Sequence, residues 1–203
     1  KVLSAYIRRT ITETKESIWI AQREGRAKDS DDRTQGSILK MLNMSGDKDI
    51  LSNLMELNIF PVAISYEFDP CDFLKAKDFV KSQRDDLLSM ETGILNNKGR
   101  VHFTLTSPIN DQLAQLDPNM EKNELIAAIA SIIDKEIYKH YRFYPCNYVA
   151  YDMLTGTRRF SEHYGLKDKK QFEDYLQGQL DKIVLPNKDE AFLRTKILEM
   201  YTN

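Results

Sequence analysis

SIWIAQREGRAKDSDDRT occupies residues 17–34. Its opening, SIWIA at 17–21, is short, β-branched and aromatic, the composition of a buried strand. Residues 22–34 then carry no large apolar side chain, so they read as a solvent-facing loop or the rim of a site. In parallel α/β sheets, ligands gather where strands run out into such loops. Gly25 would permit a tight turn and close backbone approach to a ligand. Arg26 offers a planar fork for a phosphate, with Lys28 and Arg33 as further cations. Glu24 could orient an arginine or accept a hydrogen bond from a substrate hydroxyl. From these residues alone, the favoured reading is a hydrated loop laced with weak surface ion pairs, since a bare Glu-Gly-Arg is short.

Outward from this stretch, Leu3, Tyr6, Ile7 and Ile11 predict an amphipathic helix over 2–15. Short helices follow at 37–44 and 49–57. IFPVAISY at 59–66 predicts a second strand, whose Pro61 restricts it to an edge, a strand start or a bulge. Helical patterns resume over 72–96, and RVHFTLT at 100–106 predicts a third strand. Asp117, Pro118 and Asn119 mark a turn. Four helices are predicted beyond it, near 121–140, 146–154, 169–184 and 188–201. Strands alternating with helices imply βαβ crossovers and a mainly parallel sheet. The expectation is therefore a partial α/β domain over 1–118 and a helical C-terminal extension over 119–203. A helix-first opening and so few strands suggest a fold entered midway.

Composition narrows the function classes. The 203 residues are 41% hydrophobic and 30% charged, ordinary for a globular chain able to bury one good core. A net charge of -2 gives no basis for a nucleic-acid partner. Cys71 and Cys146 fit neither a disulfide framework nor metal-ligand spacing, and buried thiols in a reduced, cytoplasmic setting are expected. LIAAIASII at 125–133 is half the length of a membrane span; it reads as core, with peripheral attachment to the inner membrane face as the alternative. No cofactor motif and no metal site are read.

SIWIAQREGRAKDSDDRT resembles the third motif of the glycerol-phosphate and lysophosphatidate acyltransferases, in which an apolar strand enters a Glu-Gly-x-Arg segment. The step around Pro61 resembles the family's fourth motif, and residues 99–109, GRVHFTLTSPI, resemble the strand and Pro-Ile step beyond it. The order agrees over 17–109, and the wider chain is similar to an acyltransferase group of Bacteroidetes-type bacteria. The resemblance implies an α/β fold and acyl transfer from acyl-CoA or acyl carrier protein. The acceptor would be a hydroxyl of glycerol 3-phosphate or a lysophospholipid. It implies that Glu24, Gly25 and Arg26 hold the acceptor phosphate, with Lys28 and Arg33 as substitutes, and that Pro61 lines the acyl site. Here Arg26 stands one residue nearer to Glu24 than the family pattern has it.

The family's catalytic His and Asp, four residues apart, would lie upstream of residue 1, so this chain alone is expected to be inactive. His163 and Asp168 match that spacing formally but fall in the helical extension, where His163 reads as a helix-end residue. His102 is expected on the less buried face of its strand, and His140 in an aromatic cluster. Asp69 reads as a turn residue and Asp72 as a helix start. A second reading, from a different class, is a non-catalytic module that binds a phosphate or lipid headgroup.

Overall fold

The computed structural model describes residues 1–23, 31–77 and 83–202. In chain order the helices are α1 (Val2–Thr12), α2 (Gly36–Asn43), α3 (Ile50–Met55), α4 (Asp72–Lys77), α5 (Gln83–Leu95), α6 (Asn110–Leu113), α7 (Lys122–His140), α8 (Pro145–Thr155), α9 (Leu166–Asp181) and α10 (Glu190–Thr202). The strands are β1 (Val62–Tyr66) and β2 (Val101–Leu105).

The expected α/β fold with a mainly parallel sheet is overturned, because the protein is 55% helix and 5% strand. Among the described residues β1 and β2 are the only strands, and they pair with each other. The ladder is antiparallel: Thr106 N donates to Pro61 O at 3.1 Å, and Glu67 N to Arg100 O at 2.9 Å. The expected parallel sheet counts three strands joined by crossover connections. One of them, residues 17–21, forms no strand. The chain leaves α1 through Lys15, at φ 60°, and continues without a ladder partner. Trp19 is 67% exposed, and of this run Ile18 packs against the nearby core. β-propensity reports a fit to neighbouring strands, and here there are no neighbours.

The chain divides into two compact units. The first takes in Lys1–Arg26, Asp32–Ile64 and Phe103–Tyr141, and so holds α1, α2, α3, α6 and α7. Its core forms where Leu125, Ile126, Ile129 and Ile133, on one face of α7, meet Ile7, Leu39, Leu42, Leu54 and Leu113. Each such side chain contributes about 1.5–3 kcal/mol when fully buried. Asp49 caps α3 by accepting from Ser52 N at 2.9 Å, and buried Asn53 ties Asn43 to Lys48. Pro61 is buried immediately before β1, where its missing N–H costs no ladder bond.

The second unit is mainly Ser65–His102 and Arg142–Asn203. Phe172, Leu176 and Leu180 of α9 pack with Val149 of α8 and with Leu193 and Ile197 of α10. Gly156, at φ 66°, ends α8 in the left-handed conformation. Gly99, at φ 62°, turns the chain into β2, and a Cβ there would lie 2.7 Å from Glu67 Oε2. Along β2 the exposure runs opposite to expectation. Val101 and Phe103 are exposed while His102 is half-buried. Among the described residues no helix is long and apolar enough to cross a membrane.

Candidate functional site

Of the residues assigned to a phosphate site, Glu24, Gly25, Arg26 and Lys28 lie outside the described residues. The chain on either side of them is fastened. Gln35 N donates to Gln22 O at 2.9 Å, Gln22 Nε2 donates to Asp32 O at 2.7 Å, and Arg23 pairs with Asp32 at 3.4 Å.

Arg33 is described, and it borders an open groove of about 600 Å³ within the first unit. Arg33, Thr34, Gly36, Ser37 and Lys40 form one wall, and α7 forms the other. On α7, Asn123, Ile126, Ala127, Ala130, Ser131, Asp134 and Tyr138 recur at three- and four-residue spacing, so they share one face. Alanine and serine at its middle leave the room that larger side chains would fill. Gly36 brings the opposite wall close: a Cβ there would sit 2.9 Å from Ile126 Cγ2.

The polar groups of the groove fall into two sets. Asp134 Oδ1 accepts from Thr34 N at 2.9 Å and Thr34 Oγ1 at 2.6 Å, which fixes the loop against α7. Lys40 Nζ donates to Asn123 Oδ1 at 2.9 Å, holding its ammonium across the opening. Arg33, Lys40 and Lys135 are exposed at the rim, and Gly36 and Ser37 stand at the positive N-terminal end of α2. The floor, at Ile126 and Ala130, is buried and apolar. Chemically, exposed cations at the rim and an apolar floor suit an anion that carries a compact apolar body. Pro61 is not part of it; its carbonyl accepts from Thr106 N and from Thr106 Oγ1 at 2.9 Å.

The groove therefore keeps one residue of the predicted set, Arg33, and adds Thr34, Ser37, Lys40, Asp134 and Lys135. The signal for Asp134 and Lys135 is present in the sequence as the polar end of the 122–140 stripe. What brings Asp134 to Thr34 is contact across 100 positions.

His163 and Asp168 do not work as a pair, and the carboxylate near His140 is Glu136, with Nδ1 and Oε2 3.7 Å apart one turn along α7. His163 is stacked on Tyr148 with centroids 4.4 Å apart, whereas Asp168 accepts from Gly165 N at 2.8 Å and so caps α9. His163 lies in the turn before α9, not at a helix C-terminus. His140, placed by expectation in an aromatic cluster, occupies the last turn of α7, its Nδ1 2.8 Å from Glu136 O. Burial pushes the Cys146 thiol up to about 12, and it donates to Glu67 O at 3.0 Å. Among the described residues no group of His, Cys, Asp or Glu could hold a metal ion.

The second unit holds one further polar cluster that the sequence does not announce. Asp72 is fully buried in α4. Its Oδ2 accepts from Tyr175 Oη at 2.7 Å and Tyr201 Oη at 2.9 Å, and its Oδ1 from Phe73 N and Gln179 Nε2. Burial, more than the hydrogen bonds offset, raises its carboxyl to about 6. The reading of Asp72 as an ordinary helix start misses this role. No protein-family model, no curated protein and no solved structure matches the chain.

Proposed function

We propose that the chain is a binding module for a phosphate-bearing small molecule, seated in the groove between residues 33–40 and α7. One observation carries this reading: Arg33, Lys40 and Lys135 surround a single opening whose carboxylate, Asp134, is engaged with Thr34. Arginine suits bidentate contact with phosphate oxygens, and the lysines add point charges. Exposed pairs are worth about 1 kcal/mol or less each, so phosphate alone should bind in the millimolar range. A ligand whose body also covers Ile126 and Ala130 gains roughly 25 cal/mol for each Å² of apolar surface buried.

Acyl transfer, the activity the family resemblance implies, needs a base beside the acceptor hydroxyl. None of the chain's three histidines lines the groove. Residues 17–21, the expected strand of the first of the three segments that carry the resemblance, form no strand. The second point favours the binding reading, whereas the first is equally what the resemblance implies, since it puts the base upstream of residue 1. The test is titration of the intact chain with inorganic phosphate and with glycerol 3-phosphate, followed by amide NMR shifts. The expected result is saturable shifts at Thr34–Lys40 and along α7, weakened by Lys135→Ala and by added salt. No shift in this groove at saturating phosphate, or shifts unchanged in Lys135→Ala, would sink the reading.

A further inference from the structure

Helix α5 is built inside out. Thr92 is buried and Ser89 and Gly93 are half-buried, while Leu87, Leu88, Met90, Ile94 and Leu95 are 69%, 44%, 61%, 73% and 72% exposed. At about 100° per residue the five apolar side chains share one face, and Ser89, Thr92 and Gly93 lie opposite. The helix is held on that polar side, where the Cys71 thiol donates to Ser89 O at 3.3 Å. A surface helix ordinarily turns its apolar stripe inward. At those exposures the five side chains, roughly 180 Å² each, leave on the order of 600 Å² of apolar surface in water, the scale that marks an interaction site.

We infer that this face is an interface with a second copy of the same chain, α5 packing on α5 across a twofold axis. A stable interface buries about 800 Å² per partner, somewhat over half of it apolar, and the stripe by itself supplies that apolar share. Leu87, Met90 and Ile94 recur at i, i+3 and i+7, the seam spacing of paired helices. Glu91 lies next to this seam, between it and Leu88 and Leu95, which widen the apolar stripe. An isologous pairing presents the stripe to its own copy, so both copies bury their stripes at once. A lipid surface is the poorer occupant, because α5 carries Asp85, Asp86 and Glu91 against one cation, Arg84, the opposite of the basic helices that lie on anionic headgroups.

Sedimentation equilibrium of the intact chain tests the inference, with twice 23.6 kDa as the expected mass. Ile94→Lys, at a position already in water in the isolated chain, should weaken self-association about 100-fold or more while leaving the helical circular dichroism unchanged. Met90→Cys should cross-link two copies through a short bis-maleimide, with no yield in the Ile94→Lys background. A 23.6 kDa species at the highest soluble concentration overturns the proposal. So does a dimer indifferent to Ile94→Lys, or a monomer that uses this face to bind phosphatidylcholine–phosphatidylglycerol vesicles.

Discussion

The groove of the first unit and the Asp72 nest of the second are both made of charged and hydroxyl groups, and they spend them differently. Around Asp72 the carboxylate oxygens accept from two tyrosines, a glutamine and a backbone amide, with Asp72, Gln179 and Tyr201 themselves buried. Around the groove, Asp134 is engaged with Thr34 and Lys40 with Asn123, and the side chains of Arg33, Lys40 and Lys135 are exposed. A polar cluster that is buried and fully hydrogen-bonded is structure, since any deletion leaves a dry group unpaired. One that is charged and wet costs little to remove and is available to a ligand. The contrast turns on what each side chain touches, and residue type alone does not separate the two.

The contrast can be broken at several points. Asp72→Ala should have the largest effect, lowering stability by about 3–5 kcal/mol in denaturant unfolding, because two tyrosine hydroxyls and Gln179 lose their acceptor. A loss typical of a surface substitution would show that the nest is not the fixed structure described. The same site predicts a pH dependence. The folded carboxyl titrates at about 6 and its ordinary value is 3.8, so the folded state holds this proton more tightly. Its stabilising contribution is complete below 3.8 and is lost as pH rises through 6, an effect on the order of 2–3 kcal/mol. Asp72→Asn should remove that slope, which denaturant midpoints measured across the interval would show.

Smaller effects sharpen the other side. Gly36→Ala would press a methyl 2.9 Å from Ile126 Cγ2. It should cost about 1–2 kcal/mol and narrow the groove, so phosphate binding and thermal stability fall together. Lys135→Ala should change stability by no more than about 0.5 kcal/mol yet weaken phosphate binding severalfold, as calorimetry at low ionic strength would register. A lysine whose removal destabilised the first unit would make the groove another structural cluster.

Much of the secondary structure was legible. The helices at 122–140, 145–155, 166–181 and 190–202 follow from apolar residues at helical spacing, and β1 and β2 from short β-branched runs closed by turn residues. The strand at 17–21 was misread because Ile18, Trp19 and Ile20 have the right composition but no strand beside them. The parallel sheet failed with it, since alternation of elements implies crossovers only if the strands exist. Of the site, Arg33 was legible as a cation in a polar loop. Lys40 and Asp134 were not, because their roles depend on contacts across 83 and 100 positions. Asp72 is the extreme case: its tyrosine partners lie 103 and 129 residues away, and no local pattern encodes them.

The two cysteines have a practical consequence. Cys71 and Cys146 are both buried, and both belong to the second unit. With two cysteines in the whole chain, the first unit contains none. An alkylating reagent can therefore react only when the second unit opens, and the reaction rate becomes a clock for that opening. The first unit can breathe unseen by the same reagent. A dye placed on an engineered cysteine at the groove rim would accordingly report that site against a silent native background.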